Sequence, residues 1–276
     1  MSEFSPRGGV RTSRSKGLRI FTLAEGATHV AKSAKPRRAA FTLAEVLITL
    51  GIIGVVAAMT LPTLMQNYQK AQTVSQLKKT YAVAQNAVQM IRAEYDGNDM
   101  LGMPFVHELF GHSQYFDLGM FGEELSKHLN YGEKTYDSTF ITELKLCLPL
   151  DSPKIYKFAN GEKQTAWGQG EIYWWILNDG SCLAMLKRGG WSWDGQEGTS
   201  RVLMLLDVNG SEKNPNQFGK DTFIFELTHN GSIIPYAGEH GDDCFSRDSG
   251  WNASGFACAK KIIDDGWQIK HDYKWQ

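Results

Sequence analysis

The first third of the chain carries two different hydrophobic patterns. Residues 46–65 form a run of twenty residues without a charge, and a helix of that length spans the roughly 30 Å hydrocarbon core of a bilayer. In residues 66–95 the apolar positions recur every three or four residues, which predicts a continuing helix with one apolar stripe. The stripe consists of Val74, Leu77, Tyr81, Ala84, Val88, Ile91 and Tyr95.

Two interpretations are open for each pattern. The uncharged run is either a membrane span or a core helix, and its length without a charge favours the span. The stripe either packs on a folded domain or forms a coiled-coil seam between subunits, because both arrangements use the same spacing. Pro62 removes one backbone hydrogen bond inside the helix, so we expect a kink between Gly54 and Pro62.

Beyond residue 96 the pattern changes to short apolar runs. Residues 171–177 and 181–186 flank a turn and predict a β-hairpin. Further strands are expected at residues 202–208, 222–227 and 233–234, and a helix at residues 121–129. Consecutive strands joined by short turns imply an antiparallel meander. A long N-terminal helix packed on such a sheet makes an α+β fold.

Charge is distributed unevenly along the chain. Residues 1–40 contain nine Lys/Arg and two acidic residues, a balance of +7, while the remaining 236 residues sum to −8. Phosphate-backbone binding needs lysine and arginine on the folded part, so we expect no nucleic-acid partner. The basic segment lacks hydrophobic periodicity, which predicts an unfolded leader. By the positive-inside rule the N-terminus stays in the cytoplasm and everything after Met65 crosses the membrane.

Glu45 places a carboxylate at the start of the apolar run. Such a group costs about 2.5 to 3.5 kcal/mol on insertion scales, so it is normally paired or functional. The nearest preceding basic residue, Arg38, is seven positions away. Cleavage between Ala40 and Phe41 would create an α-amino group four residues upstream of Glu45. We therefore expect the carboxylate to pair with that amine on a neighbouring subunit.

One segment resembles the prepilin cleavage and methylation motif of type IV pilins and type II secretion pseudopilins: Ala40-Phe41-Thr42-Leu43-Ala44-Glu45-Val46-Leu47-Ile48, followed by the apolar run. The resemblance implies that a membrane aspartyl prepilin peptidase cuts before Phe41, removes residues 1–40 and N-methylates the new terminus. Glu45 becomes the fifth mature residue, and Pro62 lies where these proteins often have a proline. The family usually has glycine before the cut, and here Ala40 supplies a small side chain.

The resemblance also implies an organisation of the chain. Residues 41–65 are the transmembrane half of the N-terminal helix, residues 66–95 its exported amphipathic half, and residues 96–276 an exported α+β domain of pilin-like fold. We expect an inner-membrane protein that becomes a structural subunit of a type IV pilus or type II secretion pseudopilus, in the periplasm or at the cell surface. Its partners would be the prepilin peptidase and other pilin or pseudopilin subunits. The alternative is an adhesin-like minor pilin at a filament tip or surface, binding through aromatic loops such as Trp191-Ser192-Trp193.

The four cysteines allow three pairings. An even number in an exported domain favours disulfides, and we expect Cys244 to pair with Cys258 and Cys147 with Cys182. The chain has no CxxC spacing, which disfavours zinc or redox chemistry.

Three further motifs bear on chemistry. Asp207, Asn209 and Asp221 supply oxygen ligands of the kind calcium accepts, and some pseudopilins hold calcium in a loop near this part of the fold. The alternative is an Asn-Gly turn with solvated acids. His107 and His112 are similar to a metalloprotease helix motif, but five-residue spacing turns them about 140° apart on a helix, which disfavours zinc. No nucleophile elbow or phosphate-binding glycine loop is present, so we expect no enzyme.

Overall fold

A computed structural model describes residues 41–97, 100–109, 113–137, 147–148, 154–163, 170–188, 202–237, 244–245 and 255–274. The helices are α1 (Leu43–Glu94), α2 (Leu118–Lys127) and α3 (Cys258–Asp264). The strands are β1 (Val106–Leu109), β2 (Ser113–Phe116), β3 (Tyr131–Asp137), β4 (Gly170–Leu177), β5 (Cys182–Arg188), β6 (Val202–Asp207), β7 (Thr222–Leu227) and β8 (Ile233–Pro235). The expectations for the leader, for Ala40 and for the Trp191 segment lie outside the described residues.

Helix α1 joins the two predicted segments into one element. It continues through Pro62 as a single helix, and it ends where the Gly97 amide donates to the Arg92 carbonyl at 3.1 Å and Asp96 adopts a φ of 49°. The predicted stripe is buried from Val74 to Ile91, with Tyr81 half-buried. Tyr95 departs from the prediction because it lies beyond the last helical turn and is 38% exposed.

The second part of α1 packs on the edge of the sheet through side chains that bond to backbone. The Tyr81 hydroxyl donates to the carbonyl of Ile233 at 2.9 Å, and the Gln85 Oε1 accepts from the Ile233 amide at 2.9 Å. Gln89 Nε2 donates to the carbonyl of Gly231, also at 2.9 Å. Edge strands otherwise present unpaired backbone groups, so the helix satisfies part of the edge that β8 forms.

The six strands β3 to β8 form one antiparallel sheet in sequence order, which confirms the predicted α+β meander. The hairpin of β1 and β2 and the strand β3 were not predicted. Strand β3 reads Tyr-Gly-Glu-Lys-Thr-Tyr-Asp, and this polar edge sequence lacks the aliphatic alternation that marks a strand. It pairs with β4 along its length, so tertiary pairing decides its conformation.

Both faces of the sheet are buried. One face packs against α1, α2 and α3, and it includes Trp175, Met185, Met204 and Phe225. The other face is covered by loop residues such as Tyr156 and Phe218, and it includes Trp174, Ala184 and Leu205. Strand β6 is therefore buried at every position, although antiparallel strands often leave one face to solvent.

Helix α2 begins three residues earlier than the sequence predicted. The Asp117 carboxylate accepts from the Met120 amide at 2.8 Å and caps the helix. Gly122 lies so close to the Tyr173 ring that a Cβ there would collide with it. The Ser126 hydroxyl accepts from the Trp175 indole at 2.8 Å, which fixes α2 on β4.

Candidate functional site

A buried polar cluster occupies the loop between β6 and β7. Asp207 ends β6 and is fully buried. Its Oδ1 accepts from the amides of Asn209 at 3.3 Å and Gly210 at 2.9 Å, and its Oδ2 accepts from the Tyr156 hydroxyl at 2.6 Å. The loop therefore folds around a carboxylate whose oxygens are both hydrogen-bonded.

Asp221 lies on the opposite side of the same loop and is 3% exposed. Its Oδ1 accepts from the Gln217 amide at 2.6 Å, and its Oδ2 accepts from the Asn216 amide at 2.8 Å and from Asn209 Nδ2 at 3.3 Å. Burial, together with the negative charge of Asp221, raises the pKa of Asp207. Burial also raises the pKa of Asp221, against the hydrogen bonds that favour its charged form.

The structure brings the three predicted calcium ligands into one loop. Two amide oxygens in that loop, Asn209 Oδ1 and Asn216 Oδ1, are buried without a hydrogen-bond partner among the described residues. Carboxylate and amide oxygens are the donor set that calcium accepts. The described residues contain no group of three or more His, Cys, Asp or Glu that would hold a metal. Any calcium here would depend on amide and backbone oxygens as well as on the two carboxylates.

The start of α1 has its own local geometry. The Thr42 hydroxyl accepts from the Glu45 amide at 3.2 Å and donates to Glu45 Oε2 at 2.9 Å, while the Thr42 amide donates to the same oxygen at 2.8 Å. These reciprocal bonds are a capping box, which satisfies amides at a helix start that would otherwise lack acceptors. Glu45 therefore has a partner within its own chain, which the sequence interpretation missed.

The apolar run that follows has no partners within the described chain. Its large apolar side chains are exposed, between 41% at Val46 and 74% at Met59, and Phe41 before the run is 84% exposed. Helix α1 is long and apolar enough to cross a membrane, with a mean hydropathy of 2.2 in its most apolar stretch. Large apolar surfaces of this size mark a membrane or protein contact in a stable protein.

The comparison with protein families bears on the same residues. A family model described as the prokaryotic N-terminal methylation motif matches residues 35–61. The chain carries a prepilin-type signal. Comparison with curated proteins and with solved structures gave no match.

The prepilin-type signal confirms the resemblance that the residues around Phe41 and Glu45 predicted. The signal supports a type IV pilin-like or pseudopilin-like protein, and it points to a structural subunit rather than an enzyme. The signal and the apolar helix fit a membrane-anchored protein, and the signal implies processing by a prepilin peptidase and assembly with pilin subunits.

Two disulfides join the cysteines in the arrangement that the sequence analysis preferred. Cys147 is bonded to Cys182 at the start of β5, which holds Cys147 and Leu148 on the second face of the sheet. Cys244 is bonded to Cys258 at the start of α3, which holds the C-terminal helix on the first face. Neither α3 nor its position was predicted, because a seven-residue helix is too short for a periodic signal.

The remaining predicted residues fall at separate places. Pro62 lies within α1, and His107 lies in strand β1 rather than in a helix. His112, Trp191 and Trp193 lie outside the described residues. Sequence reasoning missed Thr42, although the Thr-x-x-Glu spacing is a recognised capping signature. It also missed Tyr156, which lies 51 residues from Asp207 and carries no local signal.

Proposed function

We propose that the protein is a structural subunit of a type IV pilus or a type II secretion pseudopilus. The observation that carries the proposal is the prepilin-type signal at residues 35–61, placed directly before an exposed apolar helix that continues into a folded α+β domain. Hydrolysis of the peptide bond between Ala40 and Phe41 would uncover an α-amino group next to the capping box of Thr42 and Glu45. That amine is then the acceptor for the methyl group.

In this proposal α1 first anchors the subunit in the membrane and then packs against other subunits. The segment of residues 43–65 anchors the subunit in the inner membrane before assembly, with the basic leader in the cytoplasm and the domain exported. The same apolar surface then packs against other subunits in the filament, which removes it from lipid without exposing it to water. The second carboxylate oxygen of Glu45 is available to the amine of a neighbouring subunit, because both hydrogen bonds that Thr42 donates to the side chain end on Oε2.

Mass spectrometry of the membrane-extracted protein tests the processing step. The expected mass is that of a chain that begins at N-methyl-Phe41. Ala40→Lys places a long charged side chain at the cleaved bond and should retain the leader, which makes it the matched control. A wild-type chain with its N-terminus upstream of Arg37 would contradict the proposal.

We also propose that the loop between β6 and β7 binds calcium. The support is the convergence of Asp207, Asn209 and Asp221 and the two buried amide oxygens without partners. Calcium would neutralise part of the charge of two buried carboxylates, which otherwise repel each other in a low-dielectric site. The ion would stabilise the exported domain and would have no catalytic role.

A further inference from the structure

The polar loop between β6 and β7 is joined to a disulfide where it leaves the sheet. Asp207, the last residue of β6, lies opposite Cys182 in the pairing of β5 with β6. Cys182 is bonded to Cys147, and the carbonyl of Cys147 accepts from the Ser211 hydroxyl at 2.7 Å. All four residues are buried. The disulfide and the first half of the loop therefore form one buried unit.

The second half of the loop is connected to this unit through Ser211. The Ser211 carbonyl accepts from Asn216 Nδ2 at 2.7 Å, and the Asn216 amide donates to Asp221 Oδ2 at 2.8 Å. Asn216 is 2% exposed, and its Oδ1 has no hydrogen-bond partner among the described residues. Both carboxylates of the proposed calcium site are thus connected to the disulfide, Asp207 by strand pairing and Asp221 through two hydrogen-bonded residues.

A segment that follows Cys147 in the chain covers the same loop. It consists of residues 154–163, and its Tyr156 hydroxyl donates to the carboxylate at the end of β6 at 2.6 Å. The Lys157 amide donates to the Asn216 carbonyl at 2.9 Å. The loop is therefore enclosed by residues that lie on both sides of the disulfide in the chain.

The disulfide limits the freedom of this covering segment. Tyr156 follows Cys147 by nine positions, whereas it follows Asp137, the end of β3, by nineteen. A shorter loop loses less entropy when its two ends are brought together. An intact disulfide therefore favours the arrangement in which Tyr156 lies on the loop.

Cys147 itself is held in a conformation that it would leave if the disulfide were cut. Its φ of 50° lies in the left-handed region, which a non-glycine residue adopts only where its surroundings impose it. The disulfide to Cys182 and the hydrogen bond from Ser211 impose that conformation here. Reduction removes the covalent constraint, so we expect Cys147 to relax and its carbonyl to leave Ser211.

We propose that the disulfide between Cys147 and Cys182 is a redox switch on the calcium loop. Its formation takes two electrons and two protons from the two thiols and passes them to an oxidising disulfide, which becomes a dithiol. Thiols stay reduced in the cytosol and pair in oxidising compartments, so the loop binds calcium tightly only after the domain has been exported. The inference rests on the proposed calcium binding and export, and it orders the events as export, oxidation and then calcium binding.

Two measurements on the full chain in an uncharged detergent test this coupling. Calorimetric titration with calcium chloride should show an affinity about tenfold lower after reduction with dithiothreitol than before it. By reciprocity, saturating calcium should shift the ratio of reduced to oxidised dithiothreitol that half-reduces the disulfide between Cys147 and Cys182 by the same factor. Alkylation and peptide mass spectrometry measure each disulfide separately. The disulfide between Cys244 and Cys258 is the internal control and should shift much less, because Cys258 lies against Gly219, which is not a proposed ligand.

Ser211→Ala tests the route through which the disulfide acts. The variant keeps the disulfide but removes the donor to the Cys147 carbonyl, so it should weaken calcium binding by the oxidised chain about fivefold and lower the redox effect. Ser232→Ala, in the turn between β7 and β8, is the matched control, because that turn lies at the opposite end of β7 from the calcium loop. It should leave both quantities unchanged. Circular dichroism without calcium shows whether each variant folds.

The possible results separate the switch from the calcium site. Equal calcium affinities before and after reduction would overturn the switch and leave the calcium site intact. Equal shifts for the two disulfides would overturn it as well, because calcium would then stabilise the whole domain. A loss for Ser232→Ala as large as that for Ser211→Ala would contradict the route through Ser211. Absence of calcium binding by the oxidised chain would contradict the calcium proposal and the switch with it, and none of these results depends on cleavage before Phe41 or on filament assembly.

Discussion

Helix α1 is one continuous helix, yet its two segments are built for different surroundings. Residues 43–65 have exposed apolar side chains on every side, with Leu61 55% exposed, and they contain one carboxylate at their start. Residues 66–94 have a single buried stripe that includes Leu77 and Val88, and their remaining faces carry Gln, Lys and Asn. Both segments are α-helical, although Pro62 in the first segment lacks a backbone donor.

The difference shows that helix formation and helix burial are separate properties here. Both segments can be helical because an α-helix satisfies its backbone hydrogen bonds internally, whichever side chains face outward. What each segment contacts is decided by the distribution of apolar side chains around the axis. A segment that is apolar all round needs lipid or other subunits, while a segment with one stripe needs a single packed domain.

The largest effect is expected from Glu45→Ala in the first segment. The substitution should leave insertion and the folded domain intact, because it removes a charge from the membrane, but it should nearly abolish incorporation into filaments. Glu94→Ala, at the other end of the same helix, is the control and should assemble normally. Thr42→Val separates two explanations. If it reproduces the defect, the capping box is responsible, and if it does not, the pair between subunits is. Normal assembly of Glu45→Ala would contradict the proposed role.

Leu77 and Leu61 test the comparison within one residue type. Leu77 is fully buried, so Leu77→Ala should lower the free energy of unfolding of the domain by about 2 to 5 kcal/mol. Leu61→Ala should change it by less than about 0.5 kcal/mol, because Leu61 is exposed. Denaturant unfolding of the full chain in detergent, followed by near-ultraviolet circular dichroism, measures both. Similar losses for the two variants would contradict the division of α1 into two segments.

Calcium should act on the domain and leave the membrane segment unchanged. An ion that binds only the native state stabilises it by about 2.7 kcal/mol at a concentration 100 times its dissociation constant. The melting temperature of the domain should therefore rise with calcium and fall with a chelator. Asp221→Asn should remove the response, and magnesium at the same concentration should give a smaller one. An identical transition with calcium and with chelator would reject the calcium site.

The smallest effect is expected at the ion pair that ties the second segment to the turn between β4 and β5. Burial opposes the charge of Asp179, but hydrogen bonds from Lys79 and from Ser181 outweigh it and hold the pKa at about 2. The pKa is lower in the folded state, so this stabilisation is complete above about pH 4 and is lost as the pH falls towards 2.

The pair is partly exposed, so its contribution should stay below about 1 kcal/mol. Asp179→Asn should flatten the fall in melting temperature between pH 4 and pH 2. Asp264→Asn, in an exposed pair on α3, is the control and should leave the fall as steep as in the wild type. If Asp179→Asn has the same dependence of melting temperature on pH as the wild type, the pair contributes nothing measurable to stability.

Local sequence determined the parts of this protein that depend on period and composition. Four features could be predicted: the extent of α1, its buried stripe, the strands β4 to β7 and the prepilin-type signal at Phe41 and Glu45. Each of them depends on a pattern of consecutive residues. Even Thr42 could have been found from its spacing to Glu45. The boundaries moved by a few residues where a cap such as Asp117 extended a helix.

Only the tertiary structure decided the contacts between residues far apart in the chain. Tyr156 reaches Asp207 across 51 positions, β3 is a strand because β4 pairs with it, and Trp267 meets Tyr81 because a disulfide fixes α3. Hydrophobic periodicity carries no information about such pairings. The free energy that selects them comes from packing and burial between residues that meet only when the loops between them close. The polar loop between β6 and β7, which carries the calcium proposal, belongs to this second class.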